Sequence, residues 1–334
     1  MSRIQLQPER ADVAAREAAR QRPQVRDDSP ASPADVVHAL SFDIEDWFHM
    51  VGIPAVEDCN RWGELPSLVV EMTRWILETL AEHNVRATFF VLGWVAERYT
   101  SLARMIAEGG HELASHSYWH RRVDQLTPEE FAADLRQSID VLEQQSGEKV
   151  WGFRAPSFSI TPGAEWALDV LLDAGLDYDA SLFPARRGNG GYPCPQRAHV
   201  FADTPSGRSI LELPMSVLPV GPVRLPFSGG GYLRLLPQRI IRYSFDRFGK
   251  SGTPVVVYLH PRDFAPDCPR VPMSLKRRFQ SYIGLGTTKA KLNALLAAYR
   301  FDTCSAVLGR TAFHASREAD QDPQPVLETT AQRG

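Results

Sequence analysis

The most constraining feature of this sequence is the repeated alternation of strand-like and helix-like segments between residues 36 and 316. Short apolar runs such as VVHALSFDIE and ATFFVLG predict buried strands. Longer segments with apolar residues at helical spacing, such as LPSLVVEMTRWILETLAEHN, separate these runs. Strands that are joined by helical crossovers run parallel, and the chain lacks the GxGxxG fingerprint of open dinucleotide-binding sheets. We therefore expect an α/β fold with a closed or nearly closed β/α barrel.

Capping residues predict where several helices begin and end. Thr127 and Glu130 form a capping-box pattern at the start of one helix, and Gly147 predicts its end. Asn84 is a plausible stop for the helix before it. The segment WVAERYTSLARMIAEGG is expected to form one helix that ends at its glycines.

The composition is that of a soluble protein, with 43% hydrophobic and 23% charged residues. A formal charge of −3 leaves no basic footprint, so nucleic acid is not expected as a partner. The four cysteines form no CxxC pair, which argues against a disulfide framework or a zinc knuckle. No run approaches the roughly 18 apolar residues of a transmembrane segment, and the N-terminus shows no secretory signal. The sequence therefore predicts a cytoplasmic location.

The two ends of the chain differ from the region between them. Residues 1–35 and 317–334 are rich in polar residues and proline and offer little to bury, so we expect disordered tails. No glycine-rich or proline-rich linker divides residues 36–316, which are expected to form one domain.

Reactive side chains cluster where the predicted strands end. They are Asp43, Glu45, His116, Arg154 and His260. In β/α barrels the carboxyl ends of the strands carry the chemistry. This placement favours a functional site over scattered structural residues.

His116 and His120 are four residues apart, a spacing at which two imidazoles can converge on one metal ion. A packed or surface pair is the commoner explanation for such a spacing alone. A third ligand is needed, and strand alternation puts Asp43 and Glu45 on one face and Asp46 on the other. If the strand bends after Ile44, Asp46 becomes an alternative. The pattern predicts a divalent metal site, with zinc as the expected ion.

Two further residues have chemistry to contribute. Arg154 lies at an apolar strand end, where an isolated charge is costly, so a carboxylate of the site is its expected partner. His260 follows the strand VVVYLH and could protonate a leaving group, although a packed core histidine is the commoner role. The glycine-rich stretch PFSGGGYLRLLP lacks a phosphate-loop signature and is expected to place Tyr232 and Arg234 near the site.

Aromatic residues flank these motifs. Trp47, Trp119 and Phe183 could stack on sugar rings, although packing in the core is the commoner role of such residues.

Five motifs of the chain resemble, in their order and spacing, those of NodB-type polysaccharide deacetylases, carbohydrate esterase family four. These motifs are SFDIED, HSYWH, RAPS, DYDASLFP and YLHP. The resemblance covers roughly residues 36–310. FDIEDWFH, FRAPSFS and GGGYLRL are similar to the branch associated with the exosortase A (PEP-CTERM) system. The resemblance to this family implies a distorted (β/α) barrel of the NodB type with about seven parallel strands. The resemblance to the branch implies a branch-specific C-terminal region from about residue 200.

The resemblance also implies roles for the site residues. Asp43 would be the general base, Arg154 would hold it, and His260 would be the general acid. The metal ligands would be His116, His120 and a carboxylate, Glu45 in preference to Asp46. A backbone N–H near Tyr192 would hold the oxyanion.

The implied reaction is metal-dependent removal of N-acetyl groups from amino sugars of a polysaccharide or its lipid-linked precursor, in exopolysaccharide biosynthesis. Three departures from the commoner motifs are Ile44 after the base, Phe183 in place of a tryptophan, and Pro261 after the acid. The Asp-x-Glu form also occurs in enzymes that act on cyclic amides. An allantoinase-like cyclic amidohydrolase and a non-catalytic sugar-binding relative therefore stay as alternatives.

Overall fold

The computed structural model describes residues 35–185, 190–201 and 204–310. The predicted tails, residues 1–35 and 317–334, lie outside the described residues except for Asp35. Within the described ranges, none of the helices combines the length and the apolar content needed to cross a lipid bilayer.

Among the described residues, nine strands form the main sheet and two form a separate antiparallel hairpin. The strands of the main sheet are β1 (Val37–Ile44), β2 (Thr88–Val91), β3 (Glu112–Ser115), β4 (Gly152–Phe153), β5 (Tyr178–Asp179), β6 (His199–Phe201), β7 (Ile210–Glu212), β10 (Val256–Leu259) and β11 (Arg300–Asp302). The hairpin consists of β8 (Val217–Val220) and β9 (Val223–Pro226).

The sheet is curled and mainly parallel. Its strand order is β10-β1-β2-β3-β4-β5-β7-β6, and β11 also pairs with β1. The seven strands from β10 to β7 all run parallel, which confirms the predicted mixed α/β fold. Two features go beyond the prediction: β11 adds a further parallel strand, and β6 is antiparallel to β7.

Ten helices accompany the strands. They are α1 (Val69–His83), α2 (Gly93–Arg98), α3 (Leu102–Glu108), α4 (Pro128–Ser146), α5 (Trp166–Asp173), α6 (Gly230–Leu235), α7 (Gln238–Lys250), α8 (Leu275–Tyr282), α9 (Thr288–Leu296) and α10 (Cys304–Leu308). These are the α-helices of the described residues, and short 3₁₀ helices lie between some of them.

The predicted capping of α4 is confirmed. The Thr127 hydroxyl accepts from the Glu130 N–H at 3.2 Å, and the Glu130 carboxylate accepts from the Thr127 N–H at 2.9 Å. Gly147 ends the helix with a φ of 74°, and Asn84 ends α1 with a φ of 53°. The single helix expected over WVAERYTSLARMIAEGG is wrong. The chain leaves helical geometry at Tyr99, where φ is −118° and ψ is 72°, and α2 and α3 are separate.

Alternation along β1 decides what the two faces of the sheet bury. Leu40, Phe42 and Ile44 belong to the large apolar cluster that includes residues of the surrounding helices. Ala39 belongs to a second cluster with residues of β2, β3, β5 and β10, inside the curl of the sheet. Asp43 shares the parity of Ala39, so its side chain points into the interior at the carboxyl end of β1.

Candidate active site

The predicted strand-end residues meet at one edge of the sheet. Asp43 lies in β1 and Glu45 follows it, while His116, Arg154 and His260 come directly after β3, β4 and β10. Because these strands are parallel neighbours, their carboxyl ends open on the same side. The structure therefore brings together residues that lie more than 200 positions apart in the chain.

Three buried side chains form a potential metal-binding cluster. One ligand atom from each of Glu45, His116 and His120 lies within 4.8 Å of the other two. The Nδ1 of His116 lies 2.8 Å from the carbonyl oxygen of Arg154. If Nδ1–H donates to that carbonyl, Nε2 carries the lone pair that a metal needs. Two imidazoles and one carboxylate match the donor set of catalytic zinc sites, so these residues fit a divalent ion.

Burial also affects the protonation of these side chains. Burial lowers the pKa of His116 to about 4, more than the nearby Asp43 carboxylate raises it. Burial by itself would raise the pKa of Glu45, but attraction and hydrogen bonding from His120 hold it below its usual range. A neutral imidazole beside an ionised carboxylate is the state in which both groups bind metal.

His120 reaches the cluster through a loop and not along a helix. Ser117 and His120 both have left-handed backbone angles, with φ of 66° and 55°. The Ser117 hydroxyl accepts from the His120 N–H at 3.1 Å. The Asp134 carboxylate of α4 accepts from the N–H groups of Tyr118 and Trp119 at 2.6 and 3.3 Å. Asp134 was missed in the sequence because nothing local marks a helix residue as a partner of a distant loop.

The chain turns directly after β1, with the Glu45 N–H donating to the Asp43 carbonyl at 3.0 Å. Asp46 nevertheless lies away from the histidines. Its carboxylate caps the short 3₁₀ helix Trp47–His49 and accepts from the N–H groups of Leu68 and Val69 near the start of α1. The geometry thus assigns Glu45 to the cluster and gives Asp46 a structural role.

Arg154 is completely buried and contacts Asp43 directly. Its Nη1 donates to Asp43 Oδ1 at 2.7 Å and to the Ser41 hydroxyl at 2.8 Å, and its Nε donates to the Ala180 carbonyl at 3.2 Å. The guanidinium also lies 4.0 Å over the Phe90 ring. These contacts fix the orientation of the Asp43 carboxylate, because a buried charged pair is stable only with its partners in place.

His260 approaches the two strand-end carboxylates from β10. Its Nε2 lies 3.8 Å from Asp43 Oδ2 and 3.8 Å from Glu45 Oε1. Its Nδ1 lies 3.0 Å from Asp263 Oδ2, and Asp263 Oδ1 lies 3.0 Å from Arg234 Nε. Burial lowers the pKa of His260, but the hydrogen bond and charge of Asp263, with Glu45 and Asp43, raise it overall. Asp263 therefore favours the protonated imidazole.

Asp263 was not identified in the sequence, whereas Arg234 was expected near the site. Burial would raise the pKa of Asp263, but Arg234 and His260 hold it below its usual range. Asp263 closes a capping box around the 3₁₀ helix Pro261–Phe264, also accepting from the His260 N–H at 2.9 Å. The His-x-x-Asp spacing of His260 and Asp263 is the sequence signal that could have identified Asp263.

Other expectations fare differently. The Tyr192 N–H itself donates to the Phe183 carbonyl at 2.8 Å, and the expectation that a backbone N–H near Tyr192 holds the oxyanion stays a prediction. Trp47 and Phe183 are buried in the core and cannot stack on a sugar at the surface, whereas Trp119 is partly exposed.

The buried His49, which the sequence did not suggest, lies close to the cluster. The centroids of the His49 and His120 rings are 6.1 Å apart.

Two family models match consecutive parts of the chain. Residues 58–178 match the polysaccharide deacetylase model, and residues 180–309 match a domain of unknown function, DUF3473. The first match supports the polysaccharide deacetylase domain that the motifs predicted. His116, His120 and Arg154 fall in that region, whereas His260 falls in the second. The exosortase-associated branch stays a prediction.

Similarity to individual proteins is partial in sequence and broad in fold. A peptidoglycan-N-acetylglucosamine deacetylase of Bacillus cereus is 32% identical over 122 residues, which are 33% of this chain and 44% of that protein. The chain thus matches less than half the length of this relative.

Two solved structures are similar over most of the chain. A structure from Mycobacterium smegmatis assigned to the polysaccharide deacetylases has a TM-score of 0.54 at 21% identity, covering 85% of this chain and 90% of that one. The Puue allantoinase has a TM-score of 0.56 at 13% identity, covering 86% and 92%. At such identities the likeness shows the fold alone.

Proposed function

We propose that this protein is a metal-dependent hydrolase that removes N-acetyl groups from amino sugars of a glycan. The observation that carries the proposal is the buried Glu45–His116–His120 cluster with an ion-paired aspartate and a histidine beside it. This arrangement offers a metal position, a base and an acid within one small volume. The match of residues 58–178 to polysaccharide deacetylases supports the choice of an N-acetylated glycan.

Glu45, His116 and His120 would hold a divalent ion, and zinc suits this donor set best. When bound, such an ion polarises a carbonyl oxygen and lowers the pKa of a coordinated water. The chain itself then has to orient the amide, accept a proton from the attacking water and supply one to the leaving nitrogen.

Asp43 is the proposed base. Its Oδ1 is engaged by Arg154, which leaves Oδ2 on the side of His260 to accept the proton of the water. Arg154 lies too deep to reach a substrate, since it is completely buried. Its role is therefore to keep the carboxylate oriented.

His260 is the proposed acid. Its Nδ1 is paired with Asp263, so its Nε2 is the nitrogen that faces the reaction volume. Donation from Nε2 to the amide nitrogen allows the sugar amine to leave as a neutral group. Asp263 accepts from Nδ1 throughout and so fixes the tautomer.

The biological substrate is proposed to be an exopolysaccharide or its lipid-linked precursor. This finer assignment rests on the resemblance of FDIEDWFH, FRAPSFS and GGGYLRL to the exosortase-associated branch.

Acetate release tests the proposal directly. Metal-depleted protein should release no acetate from N-acetylglucosamine oligomers, and stoichiometric zinc should restore release. Allantoin serves as the competing amide substrate in the same assay. Turnover of allantoin without acetate release from any N-acetylated glycan would replace the deacetylase with a cyclic amidohydrolase. Failure on both, with full metal occupancy, would favour a sugar-binding protein.

A further inference from the structure

Helix α8 turns apolar side chains towards solvent. None of its residues is buried. Leu275 is 83% exposed and Phe279 is 55% exposed, and the two are four residues apart, so they form one stripe along the helix. A surface helix of a globular protein normally packs its apolar stripe against the core. The stripe of α8 points the other way.

The short helix α6 extends this apolar surface. Its Leu235 is 48% exposed and its Tyr232 is 36% exposed. The two helices touch, because Nη2 of Arg234 in α6 donates to the carbonyl of Gln280 in α8 at 3.1 Å. We call the exposed side chains of Tyr232, Leu235, Leu275 and Phe279 the apolar face.

Basic residues are concentrated in the segment of the chain that contains α8. Between Cys268 and Phe301 the chain has no aspartate or glutamate. It has seven basic residues there, Arg270, Lys276, Arg277, Arg278, Lys289, Lys291 and Arg300. Because the whole chain has a formal charge of −3, this segment is a local concentration of positive charge. Lys276 and Arg278 are exposed and form no ion pair with any described carboxylate.

The order of residues along α8 separates its two faces. At roughly 100° per residue, Lys276 and Arg278 lie on either side of the Leu275–Phe279 stripe, and Arg277 lies opposite. Arg277 indeed points back to the protein, where its Nη1 donates to the Val51 carbonyl at 3.1 Å. This is the arrangement of an amphipathic helix whose apolar face is flanked by cations.

The helix is held firmly in this orientation. Nη2 of Arg262 donates to the Ser281 carbonyl at 2.8 Å, and Nη1 of Arg234 donates to the Ser281 and Ile283 carbonyls at 2.9 Å each. Arg234 also pairs with Asp263, the partner of His260. The apolar face is therefore fixed to the fold and lies on the side of the candidate acid.

We infer that α8 and the exposed side of α6 dock on an anionic phospholipid surface. Leu275 and Phe279 enter the interface between headgroups and acyl chains, and Lys276 and Arg278 contact the lipid phosphates. The charge complementarity with phosphate selects an anionic surface, and the two large apolar side chains select a bilayer over a nucleic acid, which offers no apolar interior. Docking in this way presents molecules at the membrane surface to the edge of the site.

Sedimentation with vesicles measures the docking. Full-length protein should pellet with vesicles of phosphatidylglycerol and phosphatidylcholine but not with phosphatidylcholine alone. Binding should weaken as salt is raised from about 50 to about 500 mM, because salt screens the attraction between the basic residues and the lipid phosphates. The screening length is about 8 Å near physiological ionic strength and becomes shorter as salt is added.

Two variants separate the apolar and the charged contributions. Leu275→Ser combined with Phe279→Ser should weaken vesicle binding by at least about tenfold. Lys276→Gln combined with Arg278→Gln should weaken it by roughly 25-fold, since each basic residue near an anionic surface contributes about fivefold. The matched controls are Tyr243→Ser, an exposed aromatic of α7, and Arg104→Gln with Arg136→Gln, exposed arginines of α3 and α4. These controls should bind like the wild type.

Equal pelleting with neutral and anionic vesicles, no pelleting at all, or an equal loss in the control variants would overturn the inference. Pelleting of the wild type and the controls, but not of the face variants, only when an acidic protein is added would assign the face to a protein partner and would also overturn the inference. The readout involves no turnover, so its failure is distinguishable from failure of the proposed activity.

Discussion

The two sides of the candidate site are built in different ways. On the metal side, comprising Glu45, His116 and His120, the main chain does much of the positioning: a carbonyl accepts from His116, and two left-handed residues turn HSYWH inward. On the acid side, comprising His260, Asp263 and Arg234, consecutive side-chain contacts position the imidazole.

The positions of the groups on the metal side therefore depend largely on the backbone, whereas the position of the imidazole on the acid side depends on individual side chains. A main-chain partner survives substitution of the residue that carries it, whereas a chain of ion pairs is broken by one substitution. The metal side should therefore fail mainly through its proposed ligands, whereas the acid side should also fail through residues that never contact the substrate.

The largest effect is expected for His116→Ala, which removes a proposed metal ligand. Metal affinity should fall by more than the roughly 10- to 100-fold that loss of an outer partner costs. Metal content by elemental analysis and acetate release should be lost together. The control is His199→Ala, a histidine outside the cluster. Stoichiometric metal in His116→Ala would mean that the cluster is not the metal site.

Asp43→Asn should reduce turnover by about 10²- to 10⁴-fold, the usual contribution of a positioned proton-transfer group. Metal content should stay at the wild-type level, because Asp43 is outside the ligand cluster. Loss of metal in this variant would make Asp43 a ligand and contradict its assignment as the base.

Asp263→Asn and Arg234→Gln probe the acid side, and a smaller effect is expected. Turnover should fall by about 10- to 100-fold in each, since His260 remains but is less firmly oriented. The double variant should lose little more than either single variant, because both residues act through His260. Additive losses, or loss of metal, would show that the acid side is not a separate chain of contacts.

The smallest effect is expected at the junction of the two family-matched regions. Burial raises the pKa of Glu212 in β7 well above its ordinary range, and Asp179 in β5 raises it further. The folded protein therefore holds a proton there that the unfolded chain releases above a pH of about 4.5. The contribution of this protonated pair to the free energy of unfolding is fully present below that pH. It is lost as pH rises through the folded pKa, by at most ~1.4 kcal/mol per pH unit.

Glu212→Gln should flatten this dependence in denaturant unfolding measured across the acidic and neutral range. The matched control is Glu71→Gln, an exposed glutamate of α1. An unchanged slope in Glu212→Gln would mean that the pair is ionised in the folded protein.

Sequence patterns predicted the parallel strands and the positions of the reactive residues well. Strand periodicity and strand-end polarity are local properties of the chain, so they were enough to assign Asp43, Glu45, His116, Arg154 and His260 to one edge of a sheet. The β8–β9 hairpin and the antiparallel β6 were not predicted, because their segments are short and have no clear alternation.

The supporting residues were harder to find. Asp134 and Asp263 do their work by accepting hydrogen bonds in three dimensions, and only the fold brings Asp134 to the HSYWH loop. The choice between Glu45 and Asp46 required the structure as well, because Asp46 is occupied by N–H groups more than 20 residues away.

Position 154 has a consequence for protein engineering. The side chain of Arg154 donates to Asp43, whereas its backbone carbonyl accepts from His116. Every residue type at that position has a backbone carbonyl. Substitution there acts on the base while leaving the acceptor of the ligand histidine in place. Under the proposed function, a chain altered only at this position, once shown to fold, would be a candidate trap: it would retain the metal and bind the glycan without turning it over, and so could isolate the natural substrate from an extract.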